Sequence, residues 1–175
     1  MQKFEENNMT ITTERSDRHG SYLVEYTDVD TFSNLDLALF KQSYGICFVD
    51  GKLLIRSGDY GGTEKQWGYI GGRKEPGETP EQTLHREVQE ESNMEIISFL
   101  PIGVQKVTRQ NDGRVWYELR YVCKVRPMGA FVKDGAGGGS TEIKLIDPGD
   151  YKKYVDWGEI GDRLIIRALE LLPKL

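Results

Sequence analysis

A single helical segment with well-marked ends lies between runs of strand-like sequence, and this order limits the folds open to the chain. The segment covers residues 80–92. Thr79 is a suitable N-cap, Pro80 suits the first helical position, and Gln82 completes a capping box. Asn93 follows as a residue that tolerates the left-handed backbone with which many helices end. The sequence therefore predicts an internal helix with defined bounds.

Strand-like runs precede this helix and return after it. The predicted strands cover residues 44–49, 52–56, 104–109, 115–125 and 141–146. Asp50 and Gly51 separate the first two runs, and this dipeptide is the preferred chemistry of a tight hairpin turn. A second helix is predicted over about residues 159–172, where apolar residues recur at helical spacing. The order predicts an α/β (α+β) fold with a mixed central β-sheet covered by helices.

The chain divides into a polar start and one folded domain. Residues 1–35 are interpreted as an N-terminal extension, and residues 36–175 as the domain. The first 20 or so residues have little that could pack, so partial disorder is expected. Residues 22–29 are interpreted as an edge strand without an obvious partner. Such an edge could pair with a second copy of the chain, so a homodimer through that strand is one prediction. The glycines at 135–139 are expected to form a flexible hairpin tip or a mobile lid.

Composition excludes several classes of protein. The chain has 175 residues, 38% hydrophobic and 29% charged, which fits a globular domain. A net charge of -5 argues against a protein that binds long nucleic acid, and it fits a site that gathers carboxylates for a divalent cation. No apolar stretch is long enough for a signal peptide or a membrane span, so we expect a cytoplasmic protein without membrane contact.

Three glutamates fall close together on the predicted central helix. At about 100° per residue, Glu87, Glu90 and Glu91 lie within roughly 100° of arc. Like charges at this spacing repel one another, whereas a divalent cation, which prefers carboxylate oxygens, would bring them together. The spacing therefore indicates a metal site, with a solvated acidic face as the alternative.

Residues around these glutamates fit a supporting role. Glu78 and Arg86 could form an ion pair that fixes the positions of the carboxylates. Gly71 and Gly72 permit a backbone shape closed to other residues, which would let a main-chain group approach a metal or phosphate closely.

Residues 72–94 resemble the signature of the Nudix (MutT-like) hydrolases. That signature reads Gly, five residues, Glu, seven residues, Arg-Glu, an aliphatic, any residue, Glu-Glu, any residue, Gly and an aliphatic. The matching positions are Gly72, Glu78, Arg86, Glu87, Val88, Glu90, Glu91 and Met94. Asn93 stands where the family has Gly, and Asn tolerates the same left-handed backbone. We refer to residues 72–94 as the Nudix box.

The resemblance implies a Nudix-type α/β/α sandwich over residues 36–175 and a metal-dependent pyrophosphohydrolase. Its substrate would be a small molecule, a nucleoside triphosphate or another nucleoside diphosphate linked to a further moiety. Mg²⁺ or Mn²⁺ would be held by Glu87, Glu90, Glu91 and a backbone group of Gly72 or Gly71. Gly72, Glu78 and Arg86 would form the structural part of the box.

The resemblance also implies which residues carry catalysis. Glu90, Glu91 and Arg86 are the catalytic candidates within the box. Glu142 is a later carboxylate that could support them or be an ordinary exposed strand residue. Which carboxylate activates water stays open at this point.

Substrate contacts are predicted on one face of the strand over residues 115–125. Trp116, Glu118 and Arg120 share its polar face, where Trp116 could stack on a base and Arg120 could contact phosphates. Glu118 is a further candidate for the supporting carboxylate. Arg109 and Arg114 could also contact phosphates or be solvated surface charges.

Two rival functions remain beside hydrolysis. A non-catalytic module could keep the fold and bind a nucleotide for regulation. An isomerase of isoprenyl diphosphates would need a cysteine and a glutamate over its substrate, and neither Cys47 nor Cys123 has that context. The accessory proline and tyrosine expected near Gln110 for ADP-ribose or dinucleoside polyphosphates are absent from the sequence, which leaves a nucleoside triphosphate as the default substrate.

Overall fold

The computed structural model describes residues 9–58, 65–132 and 140–175, and in these ranges it contains nine strands and two α-helices. The strands are β1 (Thr10–Asp17), β2 (Gly20–Asp28), β3 (Phe40–Val49), β4 (Lys52–Gly58), β5 (Gln66–Gly68), β6 (Ile70–Arg73), β7 (Met94–Arg109), β8 (Val115–Pro127) and β9 (Ser140–Ile146). The α-helices are α1 (Pro80–Ser92) and α2 (Gly158–Leu171), and three short 3-10 helices cover Leu37–Leu39, Pro148–Lys153 and Leu172–Lys174. The glycines at 135–139, predicted as a hairpin tip or lid, lie outside the described residues. None of the helices in the described ranges has the length and apolar character needed to cross a membrane.

The local signals around the hairpin and the central helix are confirmed. Asp50 and Gly51 both have positive φ, at 48° and 78°, as a hairpin turn between β3 and β4 requires. The side chain of Thr79 accepts a hydrogen bond from the Gln82 amide at 3.2 Å, and the Thr79 amide donates to the Gln82 side chain at 2.9 Å. Asn93 ends α1 in the left-handed conformation with φ 54°. Helix α1 therefore begins and ends where its capping residues predict.

The sheet is mixed, as predicted. Its main strand order is β1-β2-β7-β8-β3-β4-β5, with β6 also paired to β3 and β9 to β4. Strands β3 and β8 run parallel, whereas every other described pair is antiparallel. The parallel pair is possible because the chain crosses between β3 and β8 through α1 and other strands.

Helices cover both faces of this sheet. The buried side chains Leu84 and Val88 of α1 pack into one core cluster. Ile160, Leu164 and Ala168 of α2 pack into a second cluster, on the other face. Burial of each Leu or Ile side chain contributes roughly 1.5–3 kcal/mol, so these stripes fix both helices on the sheet. The predicted α/β/α sandwich is confirmed.

The N-terminal region is more ordered than the sequence analysis predicted. Residues 10–28 form a β1–β2 hairpin instead of a loose lead-in, and β2 pairs along its length with β7. Tyr22, Val24 and Tyr26 are buried in the core on the α2 side. The strand over residues 22–29 thus exists but is not an edge, because β1 covers one side and β7 the other. The homodimer was predicted because this strand had no partner, and the structure shows that both of its edges pair with strands of the same chain.

The sheet curls strongly at its N-terminal end. The Arg15 guanidinium of β1 lies 3.4 Å from the Glu118 carboxylate of β8, although β2 and β7 lie between these strands in the sheet order. Such a contact requires the face shared by β1, β2, β7 and β8 to be concave. We call this surface the concave face, and it borders two cavities described below.

Candidate active site

The three glutamates of the Nudix box differ in their exposure. Helix α1 turns Leu84 and Val88 into the core, and the glutamates follow on the flank that faces β6. The side chains of Glu91 and Glu87 are 10% and 12% exposed, whereas that of Glu90 is 55% exposed. The box therefore presents two largely buried carboxylates and one that is exposed to solvent.

Glu91 is the most deeply held of the three. Its carboxylate accepts a hydrogen bond from the Gly71 amide at 2.8 Å and lies 2.8 Å from the Arg56 guanidinium. Burial raises the pKa of Glu91 to about 7, against the opposing charge of Arg56. Glu91 can therefore change its protonation state near neutral pH.

Arg56 is a site residue that the sequence analysis missed. It lies in β4 within a run of buried residues and is itself 8% exposed. A buried arginine needs a partner to offset the loss of hydration, so its place in an apolar strand was a signal for a nearby carboxylate. Nothing local identifies that partner as Glu91, because the two residues meet only through packing of α1 on the sheet.

Arg86 joins four parts of the site through one guanidinium. The predicted ion pair with Glu78 is present, at 2.7 and 3.1 Å. The same guanidinium donates to Glu87 at 2.9 Å, to Glu90 at 3.0 Å and to the backbone carbonyl of Arg73 at 2.8 Å. The hydrogen bonds from Arg86 to Glu78 are the main cause that lowers the pKa of Glu78 to about 2. The carboxylates are thus fixed relative to β6.

Gly72 lets the backbone of β6 approach the glutamates. A Cβ atom added at Gly72 would lie 2.5 Å from Oε1 of Glu87, which is closer than real Cβ contacts allow. Burial also raises the pKa of Glu87, against the opposing effect of Arg86. The glycine required by the Nudix box therefore has a steric reason in this chain.

The donor set fits a hard divalent cation. Carboxylate oxygens of Glu87, Glu90 and Glu91, with a backbone oxygen of Gly72, are the ligands that Mg²⁺ and Mn²⁺ prefer. In the ranges that the structure covers, no group of three or more His, Cys, Asp or Glu side chains is arranged to hold a metal ion. The Gly71 amide donates to Glu91, and Arg86 donates to Glu87 and Glu90. Burial disfavours the ionised forms of Glu87 and Glu91, and a cation would stabilise those forms.

Glu142 does not reach this cluster. It lies in β9 opposite Ser57, and its carboxylate forms an ion pair with Lys65 that lowers its pKa. Arg56, which contacts the box, is opposite Ile143 instead. Since successive strand residues point to opposite faces, Glu142 and the box lie on different sides of the sheet. A catalytic role for Glu142 stays a prediction that these contacts do not favour.

The face of β8 that was predicted to be polar carries polar side chains, but they are buried. Glu118 and Arg120 are 4% and 2% exposed, and Trp116 is 9% exposed. The Trp116 indole donates to Glu118 at 3.2 Å, and the Arg120 guanidinium lies 2.8 Å from the same carboxylate. Burial alone would raise the pKa of Glu118, but the charges of Arg120 and Arg15 outweigh it and lower that pKa. These side chains form a paired cluster because the β1–β2 hairpin and α2 cover them.

Two cavities open on the concave face beside this cluster. One, of about 570 Å³, is bordered by Arg120, Glu118, Gln105, Tyr44 and Trp157. The other, of about 600 Å³, is bordered by Trp116 and Glu118 and by several cationic side chains. The three predicted substrate-binding residues therefore line cavities. One face of the Trp116 ring is covered by Lys41, whose Nζ lies 3.9 Å from the ring centroid, so a base could stack there only after Lys41 moves.

Comparison with known proteins places this fold and carboxylate helix in a defined class. The sequence profile of the NUDIX domain matches residues 39–166, a range that includes the whole box. No curated protein sequence matches the chain. The chain belongs to the Nudix hydrolase family.

Solved structures give the same fold. The Bacillus subtilis pyrophosphohydrolase BsRppH is 17% identical with a TM-score of 0.65, over 90% of this chain and 96% of that one. A NUDIX hydrolase from Nitrosomonas europaea is 18% identical with a TM-score of 0.58, over 74% of this chain and 87% of that one. An ADP compounds hydrolase is 16% identical with a TM-score of 0.54, over 99% and 98% of the two chains. At such low identity these likenesses establish the fold alone.

Proposed function

We propose that the chain is a pyrophosphohydrolase that cleaves a diphosphate bond in a small nucleotide-like substrate, with Mg²⁺ or Mn²⁺ as its cofactor. The substrate is a nucleoside triphosphate or another nucleoside diphosphate linked to a further moiety. The observation that carries the proposal is the complete carboxylate set of the box, tied together by Arg86 next to Gly72. The similar structures named as pyrophosphohydrolase and ADP compounds hydrolase agree with this class of reaction.

The residues of the box divide the work of hydrolysis. When bound, the metal ion would neutralise phosphate oxygens and lower the pKa of water. Glu87, Glu90 and Glu91 would hold it, and Arg86 keeps Glu87 and Glu90 in position. Glu91, with a pKa of about 7, and the solvent-exposed Glu90 are the candidates for accepting the proton of the attacking water.

A substrate panel tests the proposal. The full chain is incubated with Mg²⁺, and separately with EDTA, on nucleoside triphosphates, 8-oxo-dGTP, ADP-ribose, nucleotide sugars and diadenosine polyphosphates. Products are resolved by chromatography and mass spectrometry. Glu90→Gln is the test variant because its exposed side chain can change without disturbing the core. Glu159→Gln, an exposed glutamate of α2, is the matched control.

The outcomes separate the rival functions. Cleavage between phosphates that needs Mg²⁺, survives in Glu159→Gln and falls by orders of magnitude in Glu90→Gln supports hydrolysis. If no member of the panel is cleaved while a nucleotide still raises the melting temperature, the chain is a nucleotide sensor. An isoprenyl diphosphate is added to the panel for the third function, and a product of unchanged mass that chromatography separates from it would identify an isomerase.

A further inference from the structure

One cavity on the concave face carries a strong positive charge on an otherwise acidic chain. It encloses about 600 Å³, and we call it the basic cavity. The cationic side chains on its walls are Arg15, Lys41, Arg73, Lys74, Arg109 and Arg114. The acidic ones are Asp17 and Glu118, so six positive charges face two negative ones. The chain as a whole has a net charge of -5, which makes this local excess specific to the cavity.

Half of these cations form no ion pair with an acidic side chain among the residues that the structure describes. Arg109 and Arg114 share Asp112, at 3.4 and 3.2 Å, and Arg15 pairs with Glu118. Lys41, Arg73 and Lys74 form no ion pair with any residue in the described ranges.

Two further observations concern the surroundings of these cations, which share the lining of one cavity. Nε of Arg109 is buried without a hydrogen-bond partner among the described residues. Burial lowers the pKa of Lys41, and the charges of Arg73, Arg114 and Arg109 lower it further. Lys41 nevertheless stays in the cavity, where its ammonium group lies over the Trp116 ring. Grouped cations that repel one another are the arrangement that a bound anion would stabilise.

The basic cavity adjoins the first residues of the Nudix box. Arg73, on the cavity wall, directly follows Gly72, and its backbone carbonyl accepts a hydrogen bond from Arg86 at 2.8 Å. The Gly72–Arg73 segment therefore connects the cavity wall to the hydrogen-bond network of the box. The volume falls within the range of about 300–1,000 Å³ that is usual for small-molecule sites.

We propose that the basic cavity binds a phosphate group of the substrate other than the diphosphate that is hydrolysed. This inference rests on the proposed function, because it takes the box as the place of cleavage. A phosphate dianion, with three terminal oxygens, suits a site with several separate cations better than a neutral group does. The extra phosphate has two sources, an extended phosphate chain or a phosphate on the ribose.

The β1–β2 hairpin takes part in this site. Arg15 and Asp17 of β1 border the basic cavity, yet they precede residues 39–166, which match the NUDIX profile. The hairpin therefore shapes substrate choice from outside the segment that defines the family.

Calorimetric binding with the full chain in EDTA tests the proposal without hydrolysis. The first arm compares ADP with ATP, which extends the phosphate chain. The second compares AMP with adenosine 2′,5′-bisphosphate and adenosine 3′,5′-bisphosphate, which add a phosphate to the ribose. The test variant is Lys41→Met with Arg73→Met. The matched control is Lys153→Met, at a cation that is not among the cavity-lining residues. Lys74→Met replaces the double variant if thermal unfolding shows that the latter is not folded.

The expected result is that the added phosphate tightens binding about tenfold or more in one arm, for the wild-type chain and for Lys153→Met. The gain should shrink to within about twofold in the double variant. The arm that shows the gain identifies the source of the phosphate. No gain in either arm, or an equal gain in the double variant, overturns the proposal. Failure of the proposed function would appear separately, as absence of cleavage in the substrate panel.

Discussion

Arg86 shows how much of the site depends on the shape of one side chain. Its guanidinium makes hydrogen bonds to Glu78, Glu87, Glu90 and the carbonyl of Arg73. A planar group with five donors can serve several acceptors in fixed directions, whereas the lysine ammonium is a point charge on a flexible stem. The charge of Arg86 alone is therefore not enough for its role.

We expect Arg86→Lys to lower kcat about 10–100-fold, because the glutamates lose their common support. Its readouts are kcat and KM on the substrate found by the panel, and Mn²⁺ affinity by electron paramagnetic resonance. Arg126→Lys is the control, since Arg126 forms one exposed ion pair with Glu95 and should behave as wild type. Unchanged kcat and Mn²⁺ affinity in Arg86→Lys would show that charge is sufficient.

Gly72→Ala should reduce activity with little effect on folding. The new Cβ would lie 2.5 Å from Oε1 of Glu87, and the end of that flexible side chain can move away. The free energy of unfolding should therefore change by less than about 1 kcal/mol, while Mn²⁺ affinity and kcat fall about tenfold or more. Gly68→Ala is the control, because nothing lies within 4 Å of a Cβ at that position. Equal activity in both variants would contradict a functional contact between Gly72 and Glu87.

At the residue scale, the sequence predicts contacts within α1 from their spacing, but it does not predict contacts between residues that are far apart in the chain. The shared helix face of Glu87, Glu90 and Glu91 follows from helix geometry, and so does the reach of Arg86 to Glu90 one turn away. Arg56 comes from β4, and its contact with Glu91 depends on how α1 packs on the sheet. The cations of the basic cavity come from four strands and two loops, and no local pattern brings them together.

The N-terminus of helix α1 is set by a local capping signal, and the contribution of that signal to stability can be tested. Thr79→Ala removes the hydroxyl that accepts from the Gln82 amide, and it should lower the free energy of unfolding by about 1 kcal/mol. Urea denaturation measures the change. Thr79→Ser keeps the hydroxyl and should remain close to wild type. A Thr79→Ala variant as stable as Thr79→Ser would mean that the cap contributes nothing to this helix.

The strands show where element prediction fails. Strand β7 covers Met94–Arg109, but only residues 104–109 were predicted. Its pairing with β8 is irregular between Ile96 and Ser98 and between Pro101 and Gly103. Each irregularity shifts the alternation of side chains between the two faces, and Pro101 and Gly103 are themselves poor strand formers. The periodic signal is therefore lost although the strand is continuous.

The stability of the whole molecule is expected to depend on pH through charges that are buried between the hairpin and the sheet. Glu118 is surrounded by Arg120 and Arg15; burial raises its pKa, but these charges reverse the effect and hold the pKa below its ordinary value. A carboxyl with a lowered pKa in the folded state stabilises the fold above its unfolded pKa of about 4.3, and that stability is lost as pH falls through the folded pKa. We therefore expect the free energy of unfolding to decrease as the pH falls below about 4.3.

Glu118→Gln separates this effect from general acid unfolding. The variant should be less stable at pH 7, because Arg120 stays buried beside an uncharged partner, and its stability should decline less steeply in acid. Urea denaturation midpoints between about pH 7 and pH 3 measure both quantities. Glu159→Gln, with an exposed side chain, should follow the wild-type curve. Parallel curves for the wild-type chain and Glu118→Gln would show that Glu118 does not contribute to the loss of stability in acid.

The division of the chain into an extension and a domain can be tested by truncation. Removal of residues 1–35 takes Tyr22, Val24 and Tyr26 out of the core and exposes the edge of β7. At about 1.5–3 kcal/mol for each buried side chain, the loss is roughly 5–9 kcal/mol, comparable with a whole domain's stability. We expect residues 36–175 to aggregate in size-exclusion chromatography with light scattering, because an open strand edge pairs with other chains.

Point variants give the same test without shortening the chain. Val24→Asp places a charge in the core that β2 forms with α2 and should lower the melting temperature strongly. Glu25→Gln, on the opposite face of the same strand, removes only a surface ion pair with Lys106 and should be nearly neutral. If residues 36–175 instead form a stable monomer and Val24→Asp melts like Glu25→Gln, the hairpin is an appendage. The curled sheet would then keep its shape without β1 and β2, and the basic cavity would lose Arg15 but not its other cations.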